Sequence, residues 1–476
     1  MQSIAQHYIN GAWVPSIEPS KSHQIINPAN DIAIGELQFG DKADVDRAVA
    51  AACDAFVNYS RFPLSARVDL LKNILVEYEK RANDLALAVS TEMGAPLERL
   101  AKTAQVPLAA GHFKTAIALA DEIDWETQRG STLITREPAG VCALITPWNW
   151  PLNQIACKVA PALLSGCTLV LKPSEYAALS AQIFAEIMHA AGVPAGVFNL
   201  VWGSGPEIGP HMASHPDIDL VSLTGSTAAG VSVAHCAADS IKRVSLELGG
   251  KSPNIVLEDA PFEKAVKKGV LHLMNNSGQS CNAPSRMLVP ASRLEEAEEL
   301  AKEALRTLKV GDPQLAETTT GPVANERQYK RVQALISAAI ADGAKLIAGG
   351  AGRVEGLERG CFVRPTILSV ADNFANIARQ EVFGPVLTLI PYRDEAHAIE
   401  MANDTEYGLS AYVYGATLDR ARAVGCQLRA GQVHLNGAGA DLQAPFGGFK
   451  QSGIGREWGF AGVEEFTEYR ALLGVQ

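Results

Sequence analysis

Cys281 is the first residue whose surroundings suggest chemistry. It lies in the small and polar run NNSGQSCNAPSR at 275–286, between an apolar segment at 270–274 and a strand-like segment at 287–290. A substrate can reach a cysteine on such a loop, and a thiolate is a strong nucleophile. Taken alone, the pattern also fits a small buried hydrophobic residue, the more common role of cysteine. Other residues must therefore support a catalytic role.

Asn149 is a second candidate, in the segment TPWNWPL at 146–152, directly after a predicted strand. Pro151 suits the first turn of a helix that follows. Asn149 could cap that helix, or its side-chain amide could donate a hydrogen bond to a developing oxyanion. The residues leave both roles open.

Glu247 is a third candidate, in the segment LELGGKSP at 246–253. Low dielectric between two leucines would raise the pKa of the carboxyl and make it a better general base. The alternative is an ordinary ion pair with a lysine or arginine. The letters GKS at 250–252 resemble the end of a phosphate-binding P-loop, but that motif needs glycine where Ser245 stands, so a P-loop is excluded.

Two further segments suit a nucleotide. The run KPSE at 172–175 follows a predicted strand, and nucleotides bind at the carboxyl ends of parallel strands. Glu175 there could bind a ribose diol and repel a 2′-phosphate, which favours NAD over NADP; a solvated turn is the alternative. The glycine turns at 203–209 and 225–230 each lead into a helix and suit a pyrophosphate. Neither has the GxGxxG spacing, and glycines that pack a helix on a sheet would explain both.

The elements that must position these residues alternate strictly between strand and helix. Apolar strand runs between amphipathic helices predict a buried parallel sheet of the dinucleotide-binding kind. A second α/β series extends from about 250 to 437, and a helical region at 43–121 precedes both. The predicted strands are 141–145, 168–171, 197–201, 220–223 and 243–246, and the predicted helices are 152–165, 178–191, 206–214 and 226–237.

The length, net charge and cysteine content of the chain restrict its possible partners and location. A chain of 476 residues predicts two or three domains, and a net charge of −11 without a basic block argues against nucleic acid or an anionic membrane as partner. Eight scattered cysteines without zinc spacing predict no metal site and fit reduced thiols in the cytoplasm. The first residues lack a signal-peptide pattern and no apolar run is long enough to span a membrane.

Taken together, these motifs resemble the aldehyde dehydrogenase superfamily, in its NAD-dependent and hydrolytic form, over essentially the whole chain. Eight segments in order carry the resemblance: 146–152, KPSE at 172–175, TGST at 224–227, 246–253, GQSC at 278–281, EVFGPV at 381–386, YGLSA at 407–411 and PFGGFKQSGIGRE at 445–457.

The resemblance implies a role for each candidate. Cys281 would be the nucleophile, Glu247 the general base, and Asn149 would form the oxyanion hole with the backbone N–H of Cys281. The implied cofactor contacts are Ile145, Trp148, Lys172, Ser174, Glu175, Gly205, Gly209, Thr224, Gly225, Ser226, Leu248, Glu381 and Phe383. The implied substrate contacts are Trp150, Gln154, Cys157, Asn282 and Gly439.

The implied fold is α/β, with two doubly wound parallel-sheet domains and a small β element for oligomerisation. The NAD-binding domain would comprise 1–121 and 139–249, the catalytic domain 250–449, and the oligomerisation element 122–138 and 459–476 of a homodimer or homotetramer. The pattern of 122–138 points the same way independently of the resemblance. An extended pair of strands without an evident core partner is a candidate for pairing with another subunit.

The implied reaction is oxidation of an aldehyde to the carboxylic acid, through a Cys281 thioester and water activated by Glu247. Relatives that transfer the acyl group to coenzyme A generally lack this glutamate. The loop at 436–441 lacks an aromatic residue that many members place over the substrate, and with Cys157 this predicts a roomy pocket. A medium-sized aldehyde or semialdehyde fits such a pocket, including one with a distal carboxylate. A cysteine-dependent esterase or amidase and a non-catalytic structural protein remain as alternatives.

Overall fold

The computed structural model describes residues 2–18 and 21–475. Its strands are β1 Gln2–Ile4, β2 Gln6–Ile9, β3 Ala12–Pro15, β4 Ser22–Asn27, β5 Ile32–Gln38, β6 Glu126–Arg129, β7 Thr132–Pro138, β8 Val141–Ile145, β9 Thr168–Lys172, β10 Phe198–Leu200, β11 Leu220–Thr224, β12 Arg243–Glu247, β13 Pro253–Val256, β14 Arg286–Pro290, β15 Lys345–Ala348, β16 Thr366–Ser369, β17 Val386–Tyr392, β18 Ser410–Tyr414, β19 Gln432–Leu435, β20 Gly453–Ile454 and β21 Thr467–Leu473.

The α-helices lie between these strands, and a π-helical stretch at Leu97–Gln105 precedes α4. They are α1 Lys42–Tyr59, α2 Leu64–Lys80, α3 Ala82–Met93, α4 Val106–Leu119, α5 Pro151–Ser165, α6 Ala178–Ala190, α7 Gly205–Ser214, α8 Thr227–Ala238, α9 Phe262–Met274, α10 Leu294–Leu305, α11 Glu326–Ala341, α12 Asn376–Arg379, α13 Glu395–Asn403, α14 Leu418–Gly425 and α15 Gly459–Glu464.

The first large sheet has the strand order β20-β12-β11-β8-β9-β10-β2-β3. Its five central strands run parallel, and the predicted alternation of strand and helix over 141–247 is confirmed. Every residue of β8, β9 and β11 is buried, which explains why these strands read as continuous apolar runs. The antiparallel strands β20, β2 and β3 extend the sheet at its two edges, an addition that the sequence pattern did not predict.

The strand order of this sheet reverses between β8 and β11. From β8 the chain winds through β9 and β10 in one direction, and then returns to β11 and β12 on the other side. A crevice forms at such a switch point, outside the carboxyl ends of the strands. The segments that leave β8 and β11 are 146–150 and 225–226, so two of the predicted motifs face the same crevice.

The second large sheet has the order β15-β16-β17-β14-β13-β18-β19 and is parallel except for β15. Its helices cover both faces, with one apolar cluster that includes residues of α11 and α13 and another that includes residues of α9 and α10. The predicted second α/β series is therefore confirmed. Cys281 lies on the connection from α9 to β14.

A third sheet is small and joins distant parts of the chain. Strand β7 pairs with β6 on one side and with β21 on the other, both antiparallel. The extended segments predicted at 122–138 and near the C-terminus thus lie together, and β6 and β21 are the edge strands.

Within the described ranges, no helix is both long and apolar enough to cross a membrane.

Candidate active site

Cys281 and Asn149 line one cavity of about 230 Å³. Seven of the predicted cofactor contacts line it as well, although they come from four separate motifs. Its predicted lining residues are Trp148, Asn149, Thr224, Gly225, Ser226, Leu248, Cys281, Glu381 and Phe383. The lining residues that the sequence did not predict are Pro147, Gly249, Arg327, Gln328 and Arg331.

The loop before Cys281 has an unusual backbone. Asn276, Ser277 and Gly278 have φ values of 51°, 55° and 72°, so three consecutive residues adopt the left-handed conformation. A Cβ at Gly278 would lie 2.1 Å from the carbonyl oxygen of Gly384, so only glycine fits. The close approach of Gly278 to Gly384 brings the GQSC and EVFGPV motifs together. Residues held in rare backbone conformations cluster at functional sites.

Asn149 does not cap helix α5. Trp150 occupies the N-cap position without a side-chain cap hydrogen bond. Asn149 is 3% exposed, and its Nδ2 donates to the backbone oxygen of Gln279 at 3.0 Å. Its own backbone oxygen accepts from Asn276 Nδ2 at 2.9 Å. The cap is therefore not supported, and these bonds hold Asn149 against the cysteine loop; its hydrogen bond to an oxyanion stays a prediction.

The environment of Cys281 opposes ionisation of its thiol. Burial raises the pKa of the Cys281 thiol, and the carboxylates of Glu247, Glu381 and Glu457 raise it further. The backbone N–H of Asn282 acts in the opposite direction. The side chain is nevertheless only half-buried and reaches the cavity, so it is not sealed in a packed interior.

Glu247 is the last residue of β12 and is 2% exposed. Neither of its carboxylate oxygens has a hydrogen-bond partner among the residues that the structure describes. Burial and the nearby Glu457 raise the pKa of its carboxyl well above the ordinary value, and Lys158 and Arg456 lower it. Glu247 is not among the residues that line the cavity, but its charge acts on Cys281. A paired structural glutamate would show at least one hydrogen bond, so the ordinary ion pair is not supported.

Lys158 and Glu457 form a buried ion pair that was not predicted from the sequence. They are 1% and 5% exposed, and the Lys158 ammonium also donates to Ser222 Oγ at 3.0 Å. The Sγ of Cys157 donates to Glu457 Oε2 at 3.3 Å. Each residue has one distinguishing feature in the sequence, although neither feature shows that the two meet: Lys158 is the single charge in helix α5, and Glu457 ends the motif at 445–457.

The carboxyl end of β9 carries the predicted ribose contacts. Lys172 is 3% exposed, and its Nζ lies 3.6 Å from Glu175 Oε2. Burial lowers the pKa of Lys172, and Glu175 opposes that shift. A solvated lysine–glutamate turn is excluded by this burial. Ser174 accepts from the backbone N–H of Tyr176 at 3.3 Å, which holds the turn.

The turn after β11 begins helix α8. Ser226 is the N-cap residue, and its Oγ accepts from the backbone N–H of Ala229 at 3.2 Å. Thr224 lines the cavity, and its buried Oγ1 has no hydrogen-bond partner within residues 2–18 and 21–475. The other glycine turn begins helix α7, where Gly205 is the first residue and Gly209 is buried. Ile145 ends β8 and is 8% exposed.

Glu381 and Phe383 close the cavity from the second sheet. Glu381 Oε1 accepts from the backbone N–H of Gly250 at 3.0 Å. Phe383 has a φ of 57°, and its ring meets the Trp148 ring edge to face at 5.5 Å. These contacts connect the segments at 146–152, 246–253 and 381–386.

None of the predicted substrate contacts is among the residues that line this cavity, and they differ in their degree of burial. Trp150 Nε1 donates to Ser280 Oγ at 2.8 Å, and the backbone oxygen of Asn282 accepts from the Tyr412 hydroxyl at 2.9 Å. Gln154 and Cys157 are buried on α5. Gly439 is exposed, and a Cβ there would meet no atom within 4 Å.

A cysteine loop, an amide donor and a buried carboxylate around a dinucleotide-type crevice define the class of an aldehyde-oxidising dehydrogenase. The model of the Aldehyde dehydrogenase family matches residues 13–472. The chain belongs to the aldehyde dehydrogenase family.

Named relatives and solved structures agree with this membership. The chain is 53% identical, over 100% of both chains, to a 3-succinoylsemialdehyde-pyridine dehydrogenase of a Pseudomonas species. A cysteine-to-alanine mutant of aldehyde dehydrogenase C from Pseudomonas syringae, in complex with NAD⁺ and octanal, is 52% identical with a TM-score of 0.98, covering 99% of this chain and 97% of that chain. A betaine aldehyde dehydrogenase of Staphylococcus aureus in complex with NAD⁺ is 36% identical with a TM-score of 0.95, covering 99% and 94%.

Proposed function

We propose that this protein oxidises an aldehyde to its carboxylic acid with NAD as hydride acceptor. The observation that carries the proposal is the cavity shared by Cys281, Asn149 and the predicted nicotinamide contacts Glu381 and Phe383. The NAD⁺ complexes of the similar Pseudomonas syringae and Staphylococcus aureus enzymes support the choice of cofactor.

The residues around the first sheet suit a dinucleotide. The buried Oγ1 of Thr224 lacks a partner in the cavity, and the N-terminus of helix α8 begins beside it. Unpaired helix N–H groups favour a pyrophosphate. Lys172 and Glu175 would hold the adenosine ribose, and Glu175 would repel a 2′-phosphate. When bound, NAD accepts the hydride that the reaction removes from the substrate.

Cys281 would act as the nucleophile and form a tetrahedral thiohemiacetal with the aldehyde. The Asn149 amide and the backbone N–H of Cys281 would donate hydrogen bonds to the oxyanion, and one such donor is worth about 10²–10³ in rate. Loss of hydride leaves a thioester on the sulfur. Because its surroundings raise the pKa of the thiol, Cys281 needs a base or a nearby positive charge to ionise.

Glu247 would take a proton from the water that hydrolyses the thioester. Its raised pKa makes the ionised carboxylate a stronger base than an exposed glutamate. Lys158, paired with Glu457 close by, would limit the accumulation of negative charge there. The products are the carboxylic acid and the free thiol.

A medium-sized aldehyde is the proposed substrate class. The loop at 436–441 carries no aromatic side chain and Cys157 is small, which favours an acyl group larger than that of acetaldehyde. The similar enzymes support this size range, since one is named for a pyridine-bearing semialdehyde and another was solved with octanal.

The test is spectroscopic. Purified protein, NAD and hexanal should increase the absorbance of NADH, and Cys281→Ala should abolish the increase while Cys426→Ala, at an exposed cysteine, should not. A cysteine esterase or amidase would hydrolyse an ester or amide without any need for NAD, and a structural protein would do neither. Absence of NADH formation with every member of an aldehyde panel would refute the proposal.

We also propose the assembly and location of the protein. The first sheet would serve as the NAD-binding domain, the second as the catalytic domain and the third as the oligomerisation element of a homodimer or homotetramer. Strand β21 supports the last role, since it is an edge strand with Tyr469 and Leu473 63% and 80% exposed. Light scattering of a chain that ends at Glu465 would test it.

All eight cysteines are free, which supports a reducing cytoplasmic location.

A further inference from the structure

Cys281 is one of the two central residues of a tight turn. The backbone N–H of Ala283 donates to the backbone oxygen of Ser280 at 3.0 Å, so Cys281 and Asn282 form the middle of the turn. The direction of the sulfur therefore depends on how firmly these two residues are held.

Side chains from two other elements hold this turn. Trp150, next to the start of α5, donates from Nε1 to Ser280 Oγ at 2.8 Å. On the other side, the hydroxyl of Tyr412 in β18 donates to the backbone oxygen of Asn282 at 2.9 Å. The first and the third residue of the turn are thus each fixed by an aromatic donor.

The charges around Cys281 give one backbone N–H a particular importance. Burial raises the pKa of the Cys281 thiol, and the carboxylates of Glu247, Glu381 and Glu457 raise it further. The backbone N–H of Asn282 forms a hydrogen bond that lowers this pKa. Because hydrogen bonds to charged groups are stronger than those to neutral groups, the thiolate gains more from this N–H than the thiol does.

Asn282 offers its two backbone groups to different partners. Its N–H acts on the sulfur of Cys281, and its carbonyl accepts the hydrogen bond from Tyr412. Movement of Asn282 away from Tyr412 would weaken both contacts at once. Tyr412 therefore acts on the nucleophile through the residue that follows it.

The ring of Tyr412 is held between two histidines. It stacks on the His434 ring at 4.7 Å with an angle of 12°, and meets the His272 ring edge to face at 4.9 Å. Tyr412 is 2% exposed, and burial raises the pKa of its hydroxyl, which therefore stays protonated as a donor. Burial also lowers the pKa of both histidines, so their rings are uncharged above pH 7.

We propose that Tyr412 is a positioning residue for Cys281: its hydroxyl holds the carbonyl of Asn282 and thereby directs the N–H of Asn282 at the sulfur. This role rests on the proposed function, because it concerns the same nucleophile. It adds a donor from β18 to the contacts that Asn149 and Trp150 make with the cysteine loop from the first sheet.

Tyr412→Phe tests the role, since it removes the hydroxyl and keeps the ring. Alkylation of Cys281 by iodoacetamide is followed at pH 8 without NAD, by mass spectrometry of the peptide that contains Cys281. We expect its rate to fall about tenfold, because the thiolate loses a well-directed donor. The peptide with the exposed Cys426 is the reference in the same sample and should react at an unchanged rate. With aldehyde and NAD, kcat should fall about threefold to tenfold, while KM for NAD changes little.

Tyr392→Phe is the matched control. Tyr392 is 4% exposed, and its hydroxyl donates to the backbone oxygen of Val256 at 3.0 Å, away from the cysteine loop. This variant loses the same kind of buried hydrogen bond, so its Tm should fall as much as that of Tyr412→Phe. Alkylation of Cys281 and kcat should nevertheless stay at the wild-type values.

Two results would overturn the role of Tyr412: alkylation of Cys281 in Tyr412→Phe at the wild-type rate, or an equal loss in Tyr392→Phe. The alkylation assay needs neither aldehyde nor NAD, so it tests Tyr412 separately from the reaction. Failure of the wild type to form NADH with any aldehyde would instead overturn the proposed function.

A pair of variants at His434 gives an independent test if Tyr412→Phe does not fold. His434→Phe keeps a flat ring against Tyr412, whereas His434→Ala removes it. Both lose the contact of His434 Nδ1 with the backbone oxygen of Ala438, so that contact cannot explain a difference between them. We expect Cys281 to be alkylated about threefold more slowly in His434→Ala than in His434→Phe. Equal rates would contradict a role for the stacked ring in holding Tyr412.

Discussion

The side-chain amide of Asn149 donates a 3.0 Å hydrogen bond to the backbone oxygen of Gln279, two residues before Cys281. Asn149 leaves the first sheet after β8, whereas Gln279 belongs to the loop that precedes β14 of the second sheet. The bond therefore joins the two sheets next to the nucleophile. One amide N–H is used for this contact, and under the proposed mechanism the other would donate to the oxyanion.

Asn149→Ala should lower kcat by about 10²–10³, because a preorganised donor to the oxyanion is lost. Binding of NAD, measured by fluorescence titration, should change little. Asn58→Ala, at an exposed position of α1, is the control. If the variant lost NAD affinity and kcat in the same proportion, Asn149 would act by holding the cavity together rather than on the oxyanion.

Glu247→Gln should slow hydrolysis of the thioester more than its formation. Glutamine has the same shape but cannot take a proton from water, so acylation continues and the thioester accumulates. Stopped-flow absorbance should show a burst of NADH of about one equivalent per site, followed by a steady state slower by about 10²-fold. Equal losses in the burst and the steady state would argue against a role in deacylation.

The pH dependence of Cys281 should respond to the same substitution. Since the Glu247 carboxylate raises the pKa of the Cys281 thiol, its removal lowers that pKa and increases the thiolate fraction at a given pH. The rate of alkylation by iodoacetamide in the absence of NAD should then have its inflection at lower pH in Glu247→Gln than in the wild type. An inflection at higher pH would show that Glu247 deprotonates the thiol instead of opposing its charge.

The sequence predicted the sheets of the site because their strands are continuous apolar runs, and every residue of β8 and β11 is indeed buried. It did not predict β20, since a strand of two residues carries no periodicity. The antiparallel pairing of Gly453 with Glu247, which places β20 beside the predicted base, depends on tertiary packing alone.

Contacts between residues far apart in the sequence could not be predicted from local sequence patterns either. Lys158 and Glu457 are 299 residues apart, and neither segment alone shows that the two charges meet. The left-handed turn before Cys281 could not be predicted from Asn276 and Ser277, because serine rarely adopts that conformation, and asparagine, although enriched in it, adopts other conformations more often. The resemblance of the motifs, rather than local periodicity, brought Asn149 and Cys281 to one predicted site.

Glu175→Gln should relax the discrimination between the two cofactors. The neutral amide can still hydrogen-bond a ribose hydroxyl but no longer repels a 2′-phosphate, so kcat/KM for NADP should rise about tenfold or more while that for NAD changes less. Glu303→Gln, on the surface of α10, is the matched control. An unchanged ratio of NADP to NAD would place the origin of cofactor choice elsewhere.

Lys158→Met should destabilise the protein, because it leaves the Glu457 carboxylate buried beside Glu247 without its cation. Breaking a buried pair from one side typically costs about 3–5 kcal/mol, so the Tm measured by differential scanning fluorimetry should fall clearly. The double variant Lys158→Met with Glu457→Gln should recover much of the loss, since no uncompensated charge remains. Lys330→Met, in an exposed pair with Glu326, should leave the Tm unchanged. If the double variant were no more stable than Lys158→Met alone, the lysine would stabilise the fold through its packing and not through its charge.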